Sequence, residues 1–220
     1  MTRNVFLNFQ HRLPIALLAP ISLLPGPCVI LMPLPSPEEF DGPAASEGEH
    51  PAVVMELSPP PDAEAAFLRL VRHPHVLFLD SALSGESLGR YSFLSADPYE
   101  RVIVPATHNF GGGAIGADRD SLAEVAKRLA GCATSTIAGL PPFQGGAAGL
   151  LSYDLGQQFE RLPSARWDEF GVPALAMGLY DVVLAFDHLQ RRAWIISQGF
   201  PETEPAARRR RAEARMKQFQ

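Results

Sequence analysis

The chain has 220 residues, 46% of them hydrophobic and 20% charged, with a formal net charge of -5. That composition supports a packed core, excludes wholesale disorder, and argues against nucleic acid as the main partner. The two cysteines, Cys28 and Cys132, lack CxxC spacing, which speaks against a zinc site, a redox motif or a disulfide scaffold. Reduced, mostly buried thiols in a cytoplasmic protein are the simplest fit.

Residues 13–37 carry no charge, and Arg3 and Arg12 precede them as in the basic region of a signal peptide. Pro14, Pro20, Pro25, Pro27 and Pro33 interrupt the stretch. Each proline in a helix interior costs ~3 kcal/mol, and a spanning helix needs about 20 continuous apolar residues, so no membrane span is expected. Residues 33–61 are rich in Pro, Glu, Ala and Gly and read as a linker. The segment 1–54 is therefore expected to be disordered, or to be upstream sequence from a misassigned start, with Met32 and Met55 as plausible domain starts.

Regular structure is expected from Asp62, which can cap a helix through Val71 with Phe67, Leu68 and Val71 on one face. Strands are predicted over 76–80, 91–95 and 101–104, with a turn at Asp97-Pro98. Ser121-Leu122-Ala123-Glu124 fits a capping box opening a helix to about Leu129. A small-residue strand over 147–153 leads to Asp154, which can cap a short helix. One long strand is predicted over 178–187, with a hairpin at 188–192 returning through 193–197. A basic helix closes the chain from Pro205 to Gln220. Helices interspersed with hairpin-linked strands indicate an α+β fold with a mainly antiparallel β-sheet and flanking helices.

Most chemical motifs weaken on inspection. The run Gly111-Gly112-Gly113 lacks the Gly-Lys-Ser/Thr of a phosphate loop and reads as a turn. His73 and His75 flank Pro74 with no carboxylate-rich helix beside them, which reads as a polar turn rather than a metal site. No Gly-x-Ser-x-Gly elbow is present. Arg208-Arg209-Arg210-Arg211 could meet an anionic partner, but the helical spacing of Ala206, Ala207, Ala212 and Met216 favours a solvated helix face leading toward a further domain. The most informative pieces are Asp80-Ser81-Ala82 and Tyr91-Ser92-Phe93. A carboxylate suits an ammonium, hydroxyls supply donors and acceptors, and two aromatics offer walls, a set suited to a small amino-acid ligand or to ordinary turn capping.

Three blocks in order then carry a resemblance. Phe78-Leu79-Asp80-Ser81-Ala82 with Leu88-Gly89-Arg90-Tyr91-Ser92-Phe93 is the first. Pro142-Phe143-Gln144-Gly145-Gly146 with Leu151-Ser152-Tyr153-Asp154 is the second, and Gly178-Leu179-Tyr180-Asp181 with Phe186-Asp187-His188 the third. Over roughly residues 55–220 the chain resembles the N-terminal domain of the anthranilate synthase component I and aminodeoxychorismate synthase component I family, with Asp80-Ser81 closer to the second branch. Leu150 departs from the aromatic residue common at that point of the family pattern.

The resemblance implies enzymes that aminate chorismate with ammonia from a glutamine amidotransferase (glutaminase) subunit or domain, assisted by Mg2+. It implies a domain over residues 55–200 and a basic linker helix over 201–220, running toward a chorismate-binding domain not contained in this chain. That domain would hold the catalytic acids and the magnesium, so no catalytic residue and no cofactor is carried over onto this sequence. What is carried over is a tryptophan-type pocket at Asp80, Ser81, Ala82, Tyr91, Ser92 and Phe93. Two alternatives stand beside the aminodeoxychorismate branch: an anthranilate synthase fragment, and a stand-alone ligand-binding module.

Overall fold

A computed structural model describes residues 28–33, 52–80, 89–106, 121–159 and 167–220, the first of these as backbone. Its strands form two antiparallel sheets. In sheet A the order is β1 (Cys28–Pro33), β6 (Gly146–Leu151), β7 (Leu175–Tyr180), β5 (Glu100–Val104). In sheet B it is β2 (Val53–Leu57), β9 (Arg192–Ser197), β8 (Val182–Asp187), β4 (Tyr91–Ser95), β3 (Leu77–Leu79). The expected α+β class with antiparallel pairing is what the chain adopts, with three α-helices among the described residues: α1 (Ala63–Leu70), α2 (Ser121–Ala130) and α3 (Pro205–Gln218).

Period-two burial distributes the side chains among three cores. Val102, Ala147, Met177 and Leu179 face α2 through Val125 and Leu129. Leu94, Leu184, Phe186 and Ile195 face α1 and α3 through Ala66, Leu70 and Met216. Phe93, Val183, Ala185, Trp194 and Ile196 meet Phe143, Ala148 and Tyr180 of the sheet A side. At about 25 cal/mol per Å² of buried apolar surface, these layers carry most of the folding free energy.

The predicted long strand over 178–187 is two strands in different sheets. The break is Asp181, whose side chain is 0% exposed. Its backbone oxygen accepts from Gln198 N at 2.7 Å, and its carboxylate accepts from Arg215 Nε at 3.1 Å and Arg211 Nε at 3.3 Å. A charge buried between two guanidiniums fixes the point where the chain crosses from sheet A to sheet B.

The segment preceding the domain also departs from expectation. Residues 28–33, read as part of a disordered or misassigned arm, pair along β6 from Cys28↔Leu151 to Pro33↔Gly146. Residues 53–57, read as linker, pair with β9.

Asp62 caps α1 as predicted, its Oδ1 accepting from Ala65 N at 2.9 Å. The buried face, however, is Ala66 and Leu70, while Leu68 and Val71 are exposed. Ser121 opens α2, but not through a capping box. Its Oγ and N are both held by the Gln158 amide, and Glu124 pairs with Arg128 instead. The 3-10 turn Tyr153–Gln158 is entered from Ser152 rather than from Asp154.

Arg209 and Arg210 of the arginine run in α3 are exposed as expected, but Arg208, Arg211 and the later Arg215 are docked rather than solvated. Arg208 lies 4.0 Å over the Phe200 ring and donates to Gln198 O. Arg211 donates to Phe200 O at 2.6 Å, and Arg215 reaches Asp97 Oδ2 at 2.8 Å as well as Asp181. Only a glycine permits this approach at position 199, where φ is +73° and a Cβ would stand 2.2 Å from Arg208 O.

Candidate functional site

The strand register decides what the predicted pocket residues can do together. Ser92 lies opposite Phe186, and Phe93 opposite Ala185. Neighbouring residues of a strand point to opposite faces. Ser92 therefore shares the α1 face with Phe186, while Phe93 packs between the sheets in T-shaped contact with Phe143, ring centroids 5.7 Å apart. The Tyr91 ring lies 6.2 Å from that of Phe93 and carries the Arg90 guanidinium at 4.8 Å. Ser81 and Ala82 lie outside the described residues. The four described residues thus divide: Asp80 and Ser92 meet on one face of sheet B, and Tyr91 and Phe93 belong to the other.

On the α1 face, Ser92 Oγ donates to Asp80 Oδ1 at 3.0 Å and stands 2.7 Å from His188 Nε2. A hydroxyl has one proton, and an ionised carboxylate only accepts. The Ser92 proton being directed at Asp80, His188 is the donor to Ser92 through Nε2–H. This polarity is the reverse of a nucleophilic serine, whose proton passes to the imidazole. Ser92 is also 0% exposed. The trio is a brace joining the end of β3 to the β8–β9 turn, not a hydrolytic triad.

The same turn is fixed by Asp187. Its Oδ2 accepts from Arg90 Nη2 at 2.6 Å and Nε at 3.0 Å, and its Oδ1 accepts from Gln190 N at 3.0 Å. Burial alone would raise the Asp187 carboxyl. The Arg90 fork and the turn amide outweigh it and hold the pKa below the ordinary value.

Beside this turn opens a cleft of about 680 Å³, within the range of small-molecule sites. Its apolar side is Phe67, Phe78 and Phe186, with Phe67 and Phe78 stacked at 5.3 Å. Asp62, Glu64 and Asp80 stand on its wall. Sequence reasoning placed Asp80 in a site but missed His188, Phe67 and Phe186. The signal for them was the pairing of β4 with β8, 97 residues apart along the chain at Arg90–Asp187, and no local pattern encodes it.

Among the described residues no three His, Cys, Asp or Glu side chains converge as a ligand set. Cys132 is free and buried, its thiol pushed up by burial, with Tyr99 Oη 3.3 Å from its sulfur. Such a thiol is not an activated nucleophile. Among the described residues no helix is long and apolar enough to cross a membrane.

No family model matches the chain. Individual proteins do. The aminodeoxychorismate synthase component 1 of Klebsiella aerogenes is 30% identical over 163 residues, 71% of this chain and 36% of that protein. This chain is a homologue of component 1 of the aminodeoxychorismate and anthranilate synthases. Its likeness to the Escherichia coli aminodeoxychorismate synthase component 1 is 42% over 76 residues, covering 29% of this chain and 17% of the relative. The Thermus thermophilus anthranilate synthase component 1 is likewise 42% identical over 78 residues, 36% of this chain and 17% of that one. Among solved structures, anthranilate synthase component I from Streptococcus pneumoniae TIGR4 covers 79% of this chain and 37% of its own, at 21% identity and a TM-score of 0.43. The chain spans about a third or less of the length of these relatives, and their names mark them as one component of a synthase.

Proposed function

We propose that this chain serves as the non-catalytic, N-terminal portion of an aminodeoxychorismate synthase component 1, acting in the amination of chorismate toward p-aminobenzoate and folate. The observation that carries this reading is the alignment of 71% of the chain with the Klebsiella aerogenes protein of that name. The Asp80-Ser81 pair favours the same branch. In this reading the chorismate site, the catalytic acids and the Mg2+ belong to the part of the relatives that this chain does not align with. The partner is a glutamine amidotransferase delivering ammonia, and the compartment is the cytoplasm. Among the described residues the tryptophan-type pocket narrows to the Tyr91 and Phe93 face, because Asp80 and Ser92 are engaged with His188 on the other face. The anthranilate branch is the second reading, favoured by the likeness to the Thermus thermophilus protein.

The test is complementation in two parts. The chain is co-expressed with the remaining two thirds of the Klebsiella aerogenes relative in a strain lacking aminodeoxychorismate synthase component 1. Growth without p-aminobenzoate, absent when either part is omitted, is the expected result. Failure there, with rescue of an anthranilate synthase mutant by the corresponding anthranilate synthase remainder, would move the assignment to the second branch. Rescue in neither strain, with both parts soluble, would leave a stand-alone binding module as the better account.

A further inference from the structure

Three segments of the chain meet at one buried carboxamide. Gln198 follows β9 and is 1% exposed, and Gln144 lies just before β6 and is 3% exposed. The Gln198 backbone is pinned: its N–H donates to Asp181 O at 2.7 Å, and its carbonyl accepts from Arg208 Nε at 2.8 Å. Its side chain bridges α3 to the connection between α2 and β6. Oε1 accepts from Arg208 Nη2 at 3.4 Å, and Nε2 donates to Gln144 O at 2.9 Å.

Both ends of that bridge demand the same orientation of the amide. A guanidinium only donates and a carbonyl only accepts. With Oε1 toward Arg208 and Nε2 toward Gln144, both are met. Turned over, the amide would set N–H against N–H and oxygen against oxygen, leaving buried groups unsatisfied. The Gln198 carboxamide is therefore a two-state element that α3 and the 137–144 segment bias together. Arg208 is free for this role: among the described residues it meets no carboxylate, unlike Arg211 and Arg215, and lies over the Phe200 ring.

Beyond the bridge, Gln144 closes its own segment as a clasp. Its Oε1 accepts from Ile137 N at 2.8 Å, and its Nε2 donates to Ile137 O at 2.9 Å and Pro141 O at 3.2 Å. The same segment carries Phe143, 2% exposed, whose ring meets Phe93.

We propose that the Gln198 carboxamide is a relay through which the docking of α3 at Arg208 fixes the 137–144 clasp and, with it, the Phe143–Phe93 contact. The coupling stands whether or not a ligand meets the Tyr91 and Phe93 face; its bearing on a ligand rests on the pocket reading proposed above.

The test follows amide hydrogen exchange and aromatic chemical shifts on the full chain in Arg208→Met, Gln198→Leu and the double variant. Arg208→Met keeps an apolar stem over Phe200 and removes the donors. Each single variant should speed exchange at the Ile137 amide roughly tenfold relative to the amides of β8, and should shift the Phe143 and Phe93 ring resonances. Because both act through one amide, the double variant should add nothing further at Ile137. An Ile137 amide unmoved by either single change, or two effects that multiply in the double variant, would overturn the proposal. So would equal acceleration at Ile137 and β8, which marks general destabilisation. Should Arg208→Met fail to fold, Arg208→Lys, which keeps the charge but loses the fork, decides the same question at the same amide.

Discussion

Asp181 and Asp80 both sit at the end of a strand and both face a helix on sheet B, yet the chain treats them oppositely. Asp181 is 0% exposed and is met by Arg211 and Arg215 from α3. Asp80 is exposed beside α1 and is met by a neutral hydroxyl. At α3 the protein supplies the counter-charges itself, so the interface is closed and structural. At α1 it supplies an aromatic floor, and the carboxylates there are met only by neutral donors, Ala65 N at Asp62 and the Ser92 hydroxyl at Asp80. Charge that a protein buries must be compensated internally and so ties its elements together, whereas exposed charge is solvated and contributes little to the fold.

The contrast can be broken at its strongest point first. Arg215→Ala leaves Asp181 buried with one guanidinium and removes the donors to Ala96 O and Asp97 O. Loss of one partner from a buried pair costs about 3–5 kcal/mol, so urea denaturation should show a collapse of stability or no folded protein. A loss below about 1 kcal/mol would show that α3 is not anchored this way.

On the open side the largest structural effect of a carboxylate should be that of a helix cap. Asp62→Ala should cost about 1 kcal/mol, read as a lowered urea midpoint, because one amide of α1 loses its acceptor.

The smallest effect concerns pH. Asp187 has a folded pKa held below its ordinary 3.8. A depressed carboxylate stabilises the fold above its unfolded pKa, and that contribution is lost as pH falls through the folded value. Asp187→Asn should therefore lower stability near neutrality and flatten its decline below about pH 4. An acid limb as steep as that of the unsubstituted chain would contradict the Arg90–Asp187 pairing.

Much of this was legible locally. Tyr91–Ser95 forms a strand with the predicted bounds, and Asp62 caps its helix, because alternation and cap chemistry are encoded within a few residues. The misreadings share a cause. Strand 178–187 looked continuous because Asp181 is flanked by apolar residues, and the arginines that bury it come from residues 211 and 215. The same arginines looked solvated because their acceptors, Asp181, Asp97 and Phe200 O, are supplied by other segments. The four described residues of the predicted pocket divide between two faces for a related reason. Tyr91-Ser92-Phe93 is a strand, and alternation cannot put all three side chains on one side. His188 joined the site only through the pairing of β4 with β8.

Residue-resolved hydrogen exchange on the full chain tests the comparison most directly. With α3 locked by self-compensated charge, its amides over residues 208–216 should exchange only with the global unfolding that releases β8 and β9. The first turns of α1, which no buried ion pair clamps, should exchange faster. Rapid exchange throughout α3 while sheet B stays protected would contradict the account, returning that helix to a solvated linker.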